Sequence, residues 1–176
     1  MKTIPLLLKV CYNLLMDIRL LTKENINEIK ELYLDVKNNT YTLWDDNYPS
    51  EELILWDIER KGLWGVFNNQ ILIAITFMGE RCEDGEENFT WQDTFKKRGT
   101  FARIGVSPKY QNQGIATYLV DFVLKELKSQ GFDGVRILVG TQNTNAIKLY
   151  SKFGFVNCGK VERYGHEYYL FELRLI

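Results

Sequence analysis

Apolar and polar residues follow two periods along the chain, one typical of helices and one of strands, and they divide it into elements. The longest helical pattern runs from Ile115 to Gln130, with apolar residues every three or four positions and charged residues opposite them. Apolar runs of strand length precede it at Phe101 to Val106 and follow it at Val135 to Val139. This order predicts helices packed on a sheet.

The first half and the end of the chain show the same mixture. Thr22 and Ser50 are predicted N-caps, because their hydroxyl groups can accept hydrogen bonds from the unpaired amides of a helix start. Asn68-Asn69 predicts the two-residue turn of a hairpin. The predicted strands are Met16–Leu21, Leu63–Phe67, Gln70–Met78, Phe155–Val161 and Glu167–Leu175, and the predicted helices run from Lys23 to about Lys37 and from Ser50 to a C-cap near Gly62.

Two segments fall outside this regular pattern. We interpret residues 1–15 as an N-terminal extension and residues 16–176 as one domain, because Lys9 interrupts the Leu6-Leu7-Leu8 run and a signal-peptide cleavage site is lacking. A membrane anchor is the alternative for that extension. Glu80 to Arg98 is a long polar connection, and we predict a solvated surface loop there.

Charge and cysteine content narrow the classes of partner. The 22 basic and 23 acidic side chains nearly balance, and the absence of a basic block argues against nucleic acid or an anionic membrane as the main partner. Cys11, Cys82 and Cys158 are scattered and lack C-x-x-C spacing. We therefore expect a reducing compartment, a cytoplasmic location and no metal site.

The loop ahead of the long helix is the strongest chemical signal. Ser107-Pro108 ends the strand, and Gln111-Asn-Gln-Gly-Ile-Ala116 leads into the helix. Several backbone amides at a helix start have no intrahelical partner, and the helix dipole adds positive charge, so this loop suits a phosphate or pyrophosphate. It is neither a nucleotide P-loop nor a dinucleotide fingerprint, because Gly-Lys-Ser/Thr and G-x-G-x-x-G are both absent.

Two motifs together resemble those of the GNAT superfamily of acyl-CoA-dependent N-acetyltransferases. The loop is similar to that family's Q/R-x-x-G-x-G/A sequence, and residues 142–155 resemble its N-x-x-A-x-x-L-Y-x-x-x-G-F motif. The resemblance implies an α/β (α+β) GNAT fold. Such a fold has a mixed, mostly antiparallel central sheet of about seven strands flanked by about four helices, and the sheet is splayed where acyl-CoA binds.

The resemblance also implies a cofactor site for acetyl-CoA, used as a co-substrate. Backbone amides of the loop would hold the pyrophosphate, and β-strand backbone together with Asn143 would hold the pantetheine arm. Gly105 fits a position of close backbone approach. Many members have arginine where this chain has Gln111, so we expect acetyl-CoA binding to depend less on salt than in those members. Lys109 and Lys148 are the candidate cations for additional contacts with the phosphates. The implied cofactor-binding residues are Ile104, Val106, Gln111, Gln113, Gly114, Ile115, Ala116, Thr117 and Asn143.

Tyr150 is the candidate general acid. A phenol has an ordinary pKa of about 10, so it is protonated at neutral pH and can give a proton to a leaving thiolate. Packing on the apolar face of a helix is the alternative role for this side chain.

No general base is assigned. The candidate bases are Asp45, Asp46, Glu80 and His166. The candidate aromatic residues of the acceptor pocket are Trp44, Tyr48 and Trp91. Arg103 is expected to pair with a carboxylate.

The predicted function is transfer of an acetyl group from acetyl-CoA to a primary amine of a small molecule or peptide, by direct attack of the amine. The alternative is an acyl-CoA-binding sensor or interaction module without turnover. Neither nucleic acid nor membrane is an expected partner. A homodimer is one expected assembly, since dimers are common among such folds, although no sequence feature marks it.

Overall fold

The structure is a computed structural model that describes residues 16–38, 42–81 and 88–175. The proposed N-terminal extension, Cys11, Cys82 and the acidic start of the long polar connection lie outside these residues. The described strands are β1 (Met16–Leu20), β2 (Leu63–Asn68), β3 (Ile71–Gly79), β4 (Arg98–Val106), β5 (Gly134–Gly140), β6 (Val156–Arg163) and β7 (His166–Arg174). The described α-helices are α1 (Ile26–Lys37), α2 (Glu51–Glu59), α3 (Ile115–Ser129) and α4 (Thr144–Lys152).

The strands form one sheet in the order β1-β2-β3-β4-β5-β7-β6. Neighbouring strands are antiparallel except for β4 and β5, which are parallel. The parallel pair is joined only at its beginning, where Arg98 pairs with Gly134 and Gly99 with Val135. This architecture of seven strands and four helices, counted over the described segments, confirms the predicted fold class and the predicted opening in the sheet.

Both predicted helix caps are confirmed, and two turn predictions are wrong by one residue. Thr22 accepts from Glu24 N and Ser50 from Leu53 N, although the first helix begins with a 3-10 turn at Lys23–Asn25. The hairpin turns at Asn69-Gln70, not at Asn68-Asn69, because both central residues have positive φ, 48° and 69°, as a type I′ turn requires. Helix α2 ends at Glu59, and the left-handed residue that follows it is Lys61, with a φ of 54°, and not Gly62.

The sheet is covered on both faces. Successive residues of a strand point to opposite faces, and Phe77 and Met78 accordingly belong to different apolar clusters. Phe77 packs with residues of α1 and α2, whereas Met78 packs with residues of α3 and α4. Among the described residues, no helix has both the length and the apolar character needed to cross a membrane.

The second half of the polar connection, residues 88–97, is a surface segment, called the strap below, that hydrogen bonds hold against β5 and β7. Asp93 N donates to Glu172 Oε1 at 2.7 Å, and Arg136 Nη2 donates to Asp93 O at 2.6 Å. Trp91 lies against the Arg136 guanidinium, 4.8 Å from ring centroid to Cζ, and does not line the cavity described below, so its predicted place in the acceptor pocket is wrong. The strap leads directly into β4, which begins at Arg98, three residues before the predicted start.

Candidate active site

A β-bulge in β4 creates the opening in the sheet. Ile75 pairs with Gly105 and Phe77 with Ala102, so two residues of β4 face one of β3. One of the two is Arg103, which has a φ of 54°. A bulge bends its strand, and here β4 leaves β5 beyond Gly99. The backbone of β4 near Ile104 therefore borders a gap between two parallel strands.

A cavity of about 670 Å³ occupies this gap. Its floor and sides come from β4, β5 and the beginning of α4, and its rim comes from the segment after α1 and the turn between β6 and β7. Three of the predicted site residues line it: Ile104, Asn143 and Tyr150. The other lining residues that enter the argument below are Trp44, Asp45, Tyr48, Arg103, Arg163, Tyr164, His166 and Tyr168.

The predicted phosphate loop lies outside this cavity, where β4 ends and α3 begins. Gly114 is the N-cap of α3, has a φ of 86° and provides no side-chain cap. The first helical hydrogen bond is Tyr118 N to Gly114 O at 2.9 Å, so the preceding amides at Ile115, Ala116 and Thr117 point out of the helix start. A Cβ built on Gly114 would meet no atom within 4 Å. This side of the loop is open to a ligand.

The two glutamines predicted to touch the cofactor brace the loop through their side chains. Gln111 Nε2 donates to Val106 O at 3.2 Å, and Gln113 Nε2 donates to Lys109 O at 3.1 Å. Ser107 N bonds to Ile73 O of β3. Because ladder bonds alternate along an antiparallel strand, the backbone groups of Val106 face away from β3. Gln111 thus already engages the Val106 carbonyl predicted to meet the pantetheine arm.

Tyr150 lies in the apolar wall of the cavity and is 8% exposed. Its ring packs edge-on against Phe101, with centroids 5.6 Å apart, and in a tilted arrangement against Phe155, with centroids 5.8 Å apart. Burial raises the pKa of the Tyr150 phenol above its ordinary value, because the charged phenolate would lose its hydration. The packing role and the acid role considered from sequence are therefore compatible: the ring packs, and the hydroxyl group stays protonated at the cavity wall.

Asn143 caps helix α4. Its Oδ1 accepts from Ala146 N at 3.0 Å, which leaves the amide NH₂ group as the donor available on this cavity-lining side chain. At Gly105, a Cβ would come within 3.3 Å of side-chain atoms of Val36 and Trp44. The crowding at this glycine therefore comes from side chains, not from the close backbone approach that the sequence suggested.

The candidate bases separate into two groups. Asp45 and His166 line the cavity, and both are exposed. Asp46 forms an ion pair with Lys37 at 2.6 Å and is not a lining residue, and Glu80 follows the end of β3 and does not line the cavity either. Of the predicted pocket aromatics, Trp44 and Tyr48 line the cavity and contact each other edge-on at 6.4 Å.

Sequence analysis missed the far rim of the cavity, formed by Arg163, Tyr164 and Tyr168. These residues belong to the hairpin of β6 and β7, in which Arg163 pairs with His166 around the two-residue turn Tyr164-Gly165. The φ angles of 53° and 75° at that turn are those of a type I′ turn. A residue followed by glycine between two strand patterns is the signal that could have located this rim.

Among the described residues, no cysteine lines the cavity and no cluster of metal-ligand side chains is found. Cys158 lies in β6, does not line the cavity, and its Sγ donates to Val156 O at 3.6 Å. Burial raises the pKa of Cys158 to about 11, so its thiolate is scarce at neutral pH. Within residues 16–38, 42–81 and 88–175, no three His, Cys, Asp or Glu side chains gather as metal ligands would.

A mixed sheet that opens between its parallel strands, beside an uncapped helix start, defines a GNAT-type domain. The model of the acetyltransferase (GNAT) family matches residues 26–155, and the chain belongs to this family. Mycothiol acetyltransferase from Paenarthrobacter aurescens (strain TC1) is 30% identical over 100 residues, which are 53% of this chain and 29% of that protein. The chain thus aligns with less than a third of that curated relative.

Solved structures share the fold. A GNAT-family acetyltransferase from Streptococcus agalactiae superposes with a TM-score of 0.76 at 20% identity, covering 90% of this chain and 95% of that one. PaiA N-acetyltransferase from Thermoplasma acidophilum, solved in complex with coenzyme A, gives a TM-score of 0.69 at 20% identity, covering 90% of this chain and 98% of that one. At this identity the similarity concerns the fold.

Proposed function

We propose that this protein is an N-acetyltransferase that transfers an acetyl group from acetyl-CoA to a primary amine. One observation carries the proposal: strand β4, which lines the cavity walled by Tyr150, leads into an open helix start at Gly114 that has no side-chain cap. The helix start suits a pyrophosphate, and the cavity suits the reacting thioester. The coenzyme A in the complex of the Thermoplasma relative supports the choice of cofactor.

In the proposed reaction the neutral amine attacks the carbonyl carbon of the thioester directly. The nitrogen–carbon bond forms, the carbon–sulfur bond breaks, and Tyr150 gives its proton to the departing sulfur. The amine nitrogen loses one proton, which restores the Tyr150 phenol through solvent, so the products are an amide and free coenzyme A. Backbone groups of Ile104 and Val106 and the NH₂ group of Asn143 would hold the pantetheine arm, and the loop amides would hold the pyrophosphate.

The acceptor is proposed to be an amine of a small molecule or of a peptide. Trp44, Asp45 and Tyr48 line the cavity, and we assign this side of it, called the acceptor wall below, to the amine. Aromatic faces and a carboxylate attract a cationic amine, although Arg163 adds a positive charge on the other rim. The general base stays unassigned between Asp45, His166 and solvent.

The test is release of coenzyme A thiol from acetyl-CoA across a panel of small primary amines and short peptides, with calorimetry of acetyl-CoA binding to the same sample. Amine-dependent thiol release together with binding is the expected result. Binding without turnover on any amine would favour the alternative, an acyl-CoA sensor or interaction module. A failure to bind acetyl-CoA would refute both functions.

The affinity for acetyl-CoA is expected to depend weakly on salt. Residues 111–116 contain no cationic side chain, so the phosphates would be held by backbone amides and the helix dipole at short range. We expect the Kd to rise by less than about threefold between roughly 0.05 and 0.5 M NaCl, and Gln111→Arg to make this dependence steeper. Calorimetric titrations at several salt concentrations measure it, and a tenfold rise in the unmodified protein would contradict the expectation.

The remaining sequence-based predictions are kept as proposals with direct tests. A cytoplasmic location is proposed from the scattered cysteines, and fractionation of cells that express the full chain tests it. A homodimer is the proposed assembly, and light scattering of the purified protein tests it by measuring the molar mass in solution. Residues 1–15 are proposed to be dispensable, so a chain that starts at Met16 is expected to keep wild-type turnover.

A further inference from the structure

A buried ion pair ties the β4 bulge to helix α2. The side chains of Arg103 and Asp57 are each 1% exposed. Arg103 Nε donates to Asp57 Oδ2 and its Nη2 to Oδ1, both at 2.9 Å, so the guanidinium grips the carboxylate with two bonds. Arg60 Nη2 adds a third bond to Oδ1 at 2.7 Å. Asp57 therefore holds two guanidinium groups at once.

The ion pair connects two parts of the cavity wall: the β4 bulge next to Ile104, and Tyr48, which is proposed to contact the amine. Arg103 is the bulge residue with a φ of 54°, a conformation that residues with a Cβ seldom adopt. The next residue is Ile104, which lines the cavity. On the other side, Arg103 Nη1 donates to Tyr48 Oη at 3.4 Å, and Tyr48 packs against Trp44 in the acceptor wall. One guanidinium thus contacts α2, the bulge and the acceptor wall.

Stability alone is a weak reason for this arrangement. Desolvation offsets most of the attraction within a buried ion pair, and well-packed apolar residues often fill such a site equally well. Burial raises the pKa of Asp57, because it disfavours the charged carboxylate, and the two guanidinium groups oppose that rise. A large part of their attraction therefore only offsets the lost hydration of the carboxylate. What an apolar pair cannot supply is a fixed direction, which the planar two-bond geometry provides.

We propose that the Asp57–Arg103 pair is a positioning element of the acceptor site. It holds the bulge that presents Ile104 to the acyl group, and it anchors Tyr48 in the opposite wall, so the distance between amine and thioester is fixed. This proposal rests on the transferase function proposed above. Because rates of acyl transfer fall steeply when reacting atoms are misplaced by about 1 Å, loss of the anchor should affect the acceptor first.

The main test is the double variant Asp57→Leu/Arg103→Met, which replaces both buried charges with apolar side chains. Arg60 loses its bond to Asp57 in this variant, but its side chain is 26% exposed and keeps the bond from Nη1 to Arg81 O. We expect it to fold, with acetyl-CoA Kd within about threefold of wild type, because the loop at Gly114 is untouched. The KM for the best amine is expected to rise about tenfold, and kcat to fall. Amide hydrogen exchange, measured by mass spectrometry, is expected to accelerate about tenfold in residues 42–50, 51–59 and 98–106 and to stay unchanged in α3 and α4.

Two further variants secure the result. Arg103→Lys keeps the charge but not the two-bond fork, and its KM and exchange rates are expected between those of wild type and the double variant, which also covers a double variant that fails to fold. Tyr48→Phe keeps the ring and removes the hydroxyl group that accepts the Arg103 bond, and it is expected to raise KM without changing exchange in residues 98–106.

Wild-type amine KM in a folded double variant would overturn the proposal, whatever its exchange rates. Unchanged exchange in residues 42–50 would overturn it as well. If the wild-type protein acetylates no amine, the transferase function has failed, and the exchange measurement then decides alone whether the pair anchors Tyr48.

Discussion

Replacing Tyr150 with phenylalanine is expected to lower kcat about 10²- to 10³-fold, which is the usual contribution of a positioned general acid. The Tyr150→Phe ring keeps its contacts with Phe101 and Phe155, so the thermal midpoint and the acetyl-CoA Kd should stay close to wild type. The step that slows is the departure of the thiolate, because without the Tyr150 hydroxyl group the sulfur has to take its proton from water. Single-turnover kinetics with the best amine measure the chemical step.

The pH profile supplies an independent check on Tyr150. Because burial raises the pKa of this phenol, the neutral, proton-donating form persists to higher pH than the ordinary value of about 10. The wild-type kcat should therefore not fall on the alkaline side below about pH 10 through loss of this proton. A decline at lower pH would have to be assigned to another group.

A matched control for the lost hydroxyl is Tyr169→Phe. Tyr169 lies in β7, is half-buried, stacks on Phe171 at 5.9 Å and does not line the cavity. This variant is expected to keep wild-type kcat. A chemical step in Tyr150→Phe within about threefold of wild type would end the assignment of Tyr150 as the acid and leave it with a packing role.

The sequence predicted the elements well because each carries its own local signal. Thr22 and Ser50 cap helices with their own side chains, and the periodicity of residues 115–130 depends on one buried stripe. The predicted phosphate loop centres on Gly114, whose positive φ at the start of α3 is also a local feature. Such features need no knowledge of the rest of the fold.

The sequence did not predict features that depend on contacts between distant segments. Arg103 was expected to pair with a carboxylate, but its partner Asp57 lies 46 residues away on a helix that only the folded sheet brings near. Gly62 looked like a helix cap, yet the left-handed residue is Lys61. Gly62 itself meets the Phe77 ring, which a Cβ would approach to 2.3 Å. Tertiary packing decided both outcomes.

Replacing Gly114 with alanine is expected to weaken acetyl-CoA binding about 10- to 100-fold. The residue sits at φ 86°, and an added Cβ would project into open space beside the loop, where the pyrophosphate is proposed to bind. Keeping even one amide from its phosphate would lose a hydrogen bond to a charged group, worth about 1.5–3 kcal/mol, and each factor of ten in Kd corresponds to about 1.4 kcal/mol. Isothermal titration with acetyl-CoA measures the change.

The strain of alanine at positive φ has to be separated from its effect on the ligand, and α3 offers the matched control at its other end. Gly131 follows the helix at φ 81°, and a Cβ there would also meet no atom within 4 Å. Gly114→Ala and Gly131→Ala should therefore lose similar stability, about 1–2 kcal/mol each. Only Gly114→Ala should weaken acetyl-CoA binding. Equal affinities in the two variants would mean that the start of α3 does not hold the pyrophosphate.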